Sequence, residues 1–221
     1  MTQPTDAPAL PTLDWYFNYL SPFAYFQLER FTAEPPPGVV LRPQPVLLGA
    51  LLGACGARGP AEIPLMRTLT YRHCLWQARR AGLPYRMPPA HPFNPLPALR
   101  LTVALGAGPD TVRTVFRHLW AEGRTLEGED WQALCARLGL SVAEAGALAA
   151  SPAAKDGLRE RTEAAIARGV FGVPCSIVHG ELFWGNDTTG MLLDFLADPA
   201  LFRDAEMQRV STLPAAIQRR A

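Results

Sequence analysis

Apolar positions along this chain come in two rhythms. At the start, Asp14-Trp15-Tyr16-Phe17-Asn18-Tyr19-Leu20 crowds aromatics into a run of six or seven residues, which suits a buried strand better than a helix. The run stops at Ser21-Pro22. Serine is a good helix N-cap, and proline fits the first helical position, where its missing N–H does no harm. Tyr25, Phe26, Leu28 and Phe31 then recur at spacings that give a helix an apolar face, and Glu34-Pro35-Pro36-Pro37-Gly38 ends it. Val39 to Val46 alternates apolar and polar residues as a second strand does, with Pro43 and Pro45 confining its end to an edge or a turn. Strand, helix, strand is the expected opening unit.

From Leu47 to about Gly169 helical periods dominate. Leu65 to Ala81 has a mixed pattern that Gly82-Leu83-Pro84 breaks, and the proline-rich stretch from Met87 to Pro97 reads as an irregular connection. Val112, Val115, Phe116, Leu119 and Trp120 define an amphipathic helix closed by Gly123, and Trp131, Leu134, Cys135 and Leu138 repeat the pattern. Ser141 with Glu144 forms a capping box, and Ser151-Pro152 opens a helix that runs towards Gly169. No internal repeat is visible, so the block is a helical domain rather than a solenoid.

Strand character returns with Val173 to His179; His179-Gly180 turns the chain, and Glu181-Leu182-Phe183-Trp184 comes back as a hairpin partner, with Phe183 and Trp184 expected in its core. Asn186-Asp187 is expected to cap a last helix through Met191, Leu192, Phe195 and Leu196. A strand-helix-strand unit and a strand-strand-helix unit flanking a helical block predict an α/β, thioredoxin-like fold with an inserted α-helical domain. Its expected parts are a flexible tail over 1–12, a discontinuous thioredoxin-like domain over 13–48 and 170–198, the helical insert over 49–169 and an extension over 199–221. Val173-Pro174 at the start of a strand suggests a cis-proline.

Composition narrows the function. The 221 residues are 48% hydrophobic and 19% charged with a formal net charge of +1, enough for one sizeable domain or two small ones. Acids and bases balance without a basic stripe, so nucleic acid is not an expected partner. No apolar stretch approaches 18 residues and Met1 to Thr12 does not read as a secretory signal, so a cytoplasmic protein without a membrane span is expected. Cys55, Cys74, Cys135 and Cys175 show neither C-x-x-C nor zinc-ligand spacing, so no disulfide framework and no metal are expected, and Cys175 reads as a buried small hydrophobe. Chemistry points to Ser21. A strand feeding straight into a helix N-terminus presents free N–H groups and the positive end of the helix dipole, a place that holds anions and thiolates.

The opening DWYFNYLSPFAYFQLERF, the RPQPVLLGALLGACG block, the HPFNPLPALR segment and the closing GVFGVPCSIVHGELFWGNDTTGMLLDFL resemble the 2-hydroxychromene-2-carboxylate isomerases and kappa-class glutathione transferases, a branch of the DsbA-like thioredoxin superfamily. The resemblance covers roughly residues 13 to 197. It implies that Ser21 stands where redox relatives have a nucleophilic cysteine and faces the sulfur of bound glutathione or another low-molecular-weight thiol. It further implies that the Val173 backbone before Pro174 pairs with the cysteinyl part of that cofactor and that Asn186, Asp187 and Thr188 hold its γ-glutamyl end. It implies, too, that Phe23 and Asn94 border a small aromatic substrate and that the protein is a homodimer. His91 and His73 are unremarkable alone, Phe23, Tyr25 and Trp76 line either the substrate pocket or the core, and Asn94 is otherwise a turn residue between two prolines. Within the same resemblance, Thr188 stands where an arginine is usual, Met66 where a lysine helps bind glutathione, and Gly53 and Ala57 where lysine and asparagine are found; Arg58 and Arg67 are candidate replacements. Each charged hydrogen bond so lost is worth about 1.5–3 kcal/mol.

Overall fold

The computed structural model describes residues 10–217, so the expected tail lies outside the described residues over 1–9. Strand β1 (Thr12–Phe17) already includes Thr12. Helix α1 (Pro22–Ala33) follows, and β2 (Val40–Pro45) returns parallel to β1 with Leu13 opposite Leu41 and Phe17 opposite Pro45. The strand order β2-β1-β3-β4 puts β2 on the edge, where Pro43 and Pro45 leave no central ladder bond missing. Strands β3 (Cys175–Val178) and β4 (Glu181–Trp184) form the antiparallel hairpin, and β3 pairs antiparallel with β1.

Alternation along β1 divides the core between two faces of the sheet. Leu13, Trp15 and Phe17 point into the larger cluster with Tyr25 and Leu28 of α1, while Tyr16 joins Val46, Cys175 and Ile177 on the opposite side. One expectation is corrected: Phe183 is buried but its neighbour Trp184 is half exposed, because alternation turns it to the opposite face from Phe183 and β4 is the edge strand.

Between β2 and β3 lie α2 (Leu48–Ala54), α3 (Pro64–Ala81), α4 (Leu96–Ala104), α5 (Pro109–Phe116), α6 (Gly128–Arg137), α7 (Val142–Ala150) and α8 (Pro152–Ala167). This is an α/β thioredoxin-like fold carrying a helical block. The capping box forms as expected, Ser141 Oγ accepting from Glu144 N–H while Glu144 accepts from Ser141 N–H. The expected helix through Trp120 is α5 continued by one wide π-helical turn, Arg117–Ala121. The mixed pattern of α3 reflects its packing, since only Cys74 and Ala78 are buried while Leu65, Leu69 and Trp76 stay open to solvent.

The last core helix, α9 (Thr189–Ala197), corrects another expectation. Its N-cap position is Thr188, and neither the Asn186 nor the Asp187 side chain caps it; the Thr188 and Thr189 hydroxyls instead donate back to the Gly185 and Asn186 carbonyls. Beyond it, α10 (Ala205–Ser211) buries none of its residues. Among the described residues no single helix is long and apolar enough to cross a membrane.

Candidate functional site

Ser21 ends the turn that leads from β1 into α1. Its backbone is extended (φ −96°, ψ 109°), its side chain is buried, and its Oγ accepts the Ala24 N–H at 3.2 Å. A hydroxyl that accepts still has one hydrogen to give, and among the described residues that hydrogen has no acceptor. Pro22 occupies the first helical position, so the helix begins at the serine without an orphan N–H there.

The opposite wall is the start of β3. Tyr16 pairs with Cys175, which brings the cis Val173-Pro174 peptide to the same end of the sheet as the β1–α1 turn. Gly185 N–H donates to the Pro174 carbonyl at 2.9 Å, whereas the Val173 N–H and carbonyl join no hydrogen bond among the described residues. Val173 is half-buried. It offers a free peptide edge to an extended ligand.

Of the remaining predicted residues, Phe23 is half-buried on the first turn of α1, with its ring centroid 6.0 Å from that of His73. Asn186, half-buried, lines an open cleft of 470 Å³ between α1 and α3 together with Phe26, Arg30, Trp76, Gln77 and Arg80. Ser21 does not line that cleft. Asp187 is exposed, and its carboxylate folds back so closely over Gly185, whose φ is +93°, that a Cβ there would collide with it. Asn94 is exposed and its Oδ1 accepts the Leu96 N–H, the turn role open to an asparagine between prolines. Met66 is exposed, while Arg58 and Arg67 donate to the Glu62 and Ala61 carbonyls. Tyr25 belongs to the core and donates to the Pro84 carbonyl, whereas Trp76 is exposed under the Arg80 guanidinium.

Two residues escaped the sequence. Gln27, buried on α1, receives the Trp15 indole N–H and donates to the Gly185 carbonyl and to Thr189 Oγ1, so it fixes the turn that bears Asn186 and Asp187. A polar residue between Phe26 and Leu28 was its only signal. His91 bonds the Leu20 carbonyl beside Ser21, and nothing local marks a histidine for that.

No cysteine is paired with another. All four are free, Cys55 alone is exposed, and burial pushes the Cys74 and Cys175 thiols up to about 12. Cys175 is the inert small hydrophobe expected.

A serine-headed helix, a cis-proline strand and a helical block between the second and third strands define a thioredoxin-type protein without its dithiol. The model of the DSBA-like thioredoxin domain matches residues 12–197, and the chain belongs to that family, in the branch of 2-hydroxychromene-2-carboxylate isomerases and kappa-class glutathione transferases. The branch is one of enzymes. The chain is 33% identical over 188 residues to a 2-hydroxychromene-2-carboxylate isomerase of Pseudomonas putida, a match that covers 81% of this chain and 91% of the relative. A glutathione S-transferase kappa 1 of Caenorhabditis elegans is 24% identical over 87% of this chain and 93% of its own. A solved 2-hydroxychromene-2-carboxylate isomerase superposes with a TM-score of 0.72 at 25% identity, covering 92% of this chain and 100% of that one.

Proposed function

We propose that this protein is a thiol-dependent isomerase of the 2-hydroxychromene-2-carboxylate isomerase type, with Ser21 stabilising the thiolate of glutathione or another low-molecular-weight thiol. One observation carries the reading: a buried hydroxyl at a helix N-terminus with its hydrogen unspent. The relatives named above support it.

A bound thiol supplies a nucleophile for reversible addition to a conjugated alkene in an aromatic acid. The chain's own residues do the rest. Ser21 Oγ–H donates toward the sulfur, and the positive end of α1 favours the anion, so proton loss from the thiol becomes easier. Val173 pairs its free N–H and carbonyl with the cysteinyl portion. Asn186, Asp187 and Thr188 receive the γ-glutamyl end, Asp187 facing its ammonium group. Phe23 and Asn94 border the substrate. Arg30 and Arg80 share the Asn186 cleft with Glu29 and Glu34, and are the cations there that can meet carboxylates left without a partner by Met66 and Thr188. The working form is a homodimer, which light scattering tests as twice the chain mass.

Ser21→Ala should lower turnover by about 10²-fold while fold and much of the thiol binding persist. Unchanged kinetics would remove Ser21 from the mechanism. Kappa-type transfer uses the same corner, and the relatives named kappa transferases favour it as the second reading. Mass spectrometry of the product separates the two, since a transferase leaves the thiol attached. Heat of thiol binding without turnover would mark a binding protein instead.

A further inference from the structure

The turn before Ser21 is clamped at four consecutive polar groups. In the Tyr19–Leu20 peptide, the carbonyl accepts the Trp120 indole N–H at 2.9 Å and the N–H donates to Asn18 Oδ1 at 2.9 Å. In the Leu20–Ser21 peptide, the N–H donates to the Asn18 carbonyl at 3.0 Å and the carbonyl meets His91 Nε2 at 2.9 Å. A carbonyl only accepts, so Nε2 carries a hydrogen. On the other side of the ring, Nδ1 lies 2.8 Å from the Tyr71 hydroxyl, which is itself 3.0 Å from the His91 carbonyl. With the ring neutral, Nδ1 only accepts, so the single Tyr71 hydrogen is shared between Nδ1 and the His91 carbonyl, an arrangement compatible with the tautomer that the Leu20 carbonyl requires.

The surroundings agree with a neutral ring. His91 packs edge-on against Trp120 and Phe93, with centroids 5.4 and 5.9 Å away. Burial lowers its pKa from the ordinary value, the bond to Leu20 opposes that shift, and the Arg67 guanidinium on α3 adds to it. Proton gain would also place a second cation beside Arg67.

We propose that His91, backed by Tyr71, is a positioning residue for Ser21: it fixes the Leu20–Ser21 peptide plane, and with it the aim of Ser21 Oγ and of the first N–H groups of α1. The inference rests on the reading of Ser21 as the residue that faces the thiol sulfur.

Two readouts test it in the intact protein. Hydrogen exchange at the Leu20 and Ser21 amides needs no ligand; His91→Ala should speed it about fivefold or more, the effect of one lost hydrogen bond, while the core strands stay protected. The pKa of glutathione bound to the protein, followed by thiolate absorbance, should rise by about half a unit, the scale of a helix-terminus charge interaction. Turnover should fall by about 10-fold with thiol affinity little changed, since misaimed groups cost rate before binding. His91→Gln, whose amide can still donate to Leu20, should restore most of each. Tyr71→Phe removes one hydroxyl from a half-buried site and should move the same readouts less far, which keeps the test open if His91→Ala does not fold.

Unchanged exchange in a folded His91→Ala protein overturns the proposal. So does a bound-thiol pKa that moves in Ser21→Ala but not in His91→Ala. If Ser21→Ala leaves that pKa where it was, the reading of Ser21 fails instead, and the exchange rates still decide whether His91 holds the turn.

Discussion

At the scale of single residues, Gln27 shows how a polar side chain inside an apolar helix can shape a remote turn. Its amide accepts from Trp15 at 2.7 Å and donates to Thr189 Oγ1 at 2.8 Å, so a buried indole N–H and the start of α9 depend on one group. Gln27→Leu keeps the volume and removes all three bonds, leaving the Trp15 N–H without a partner. We expect a loss of about 1–3 kcal/mol in stability, read from the denaturant midpoint, and weaker thiol binding by calorimetry because the Asn186-Asp187 turn loosens. Equal thiol affinity in that variant would separate the turn from the site. On the other face of the sheet, burial pushes the Asp14 carboxyl up, yet hydrogen bonds from Arg42, Arg168 and Gln44 outweigh it and hold the group below its ordinary value.

At the scale of elements, local signals were the legible ones. The aromatic run of β1, the Ser21 cap, the Ser141 capping box and the β3–β4 hairpin rest on chemistry within four residues, and each forms where expected. The turn after β4 departs from expectation because Thr188 and Thr189 use their hydroxyls as donors inside the turn, a choice that composition cannot reveal. The placement of two residues of the candidate site was legible for the same reason. Ser21 and Pro174 announce themselves in the chain, whereas Gln27, His91 and Trp120 reach the two turns through bonds that span 71 to 162 residues. The seam between α1 and α5 is another long-range feature. Glu29, buried on α1, accepts from Arg113 at 2.9 and 3.1 Å and from Arg117 at 2.8 Å. Replacing both arginines by alanine strands its carboxylate, at about 2–3 kcal/mol, less than for a fully buried pair because both guanidiniums are partly open to water. A lower urea midpoint with an unchanged slope is the expected sign.

At the scale of the whole molecule, stability should depend on pH through histidines. Burial holds both His91 and His118 below the ordinary histidine value, against the hydrogen bonds from their rings to the Leu20 and Thr125 carbonyls. Above the unfolded value of about 6.5 neither state binds these protons and stability is at its plateau. Below it the unfolded chain takes them up first, so stability falls as pH drops towards the folded values, by at most about 1.4 kcal/mol per histidine per pH unit. Asp14, lowered in the fold, adds a further loss only below about pH 4. Denaturant midpoints measured from pH 8 to 5 should be flat and then decline, and His91→Gln should remove part of the decline.

Trp120 and His91 both lie in the segment between the second and third strands, yet the groups they hold belong to the turn between the first strand and the first helix. The insert is therefore no detachable accessory. A hybrid gene that joined this sheet and its serine to another helical block would keep every residue of the motif, and the turn would stay moored only if that block supplied equivalents of Trp120 and His91. Motif and insert are coupled through these two bonds, so a change made in one is felt in the other.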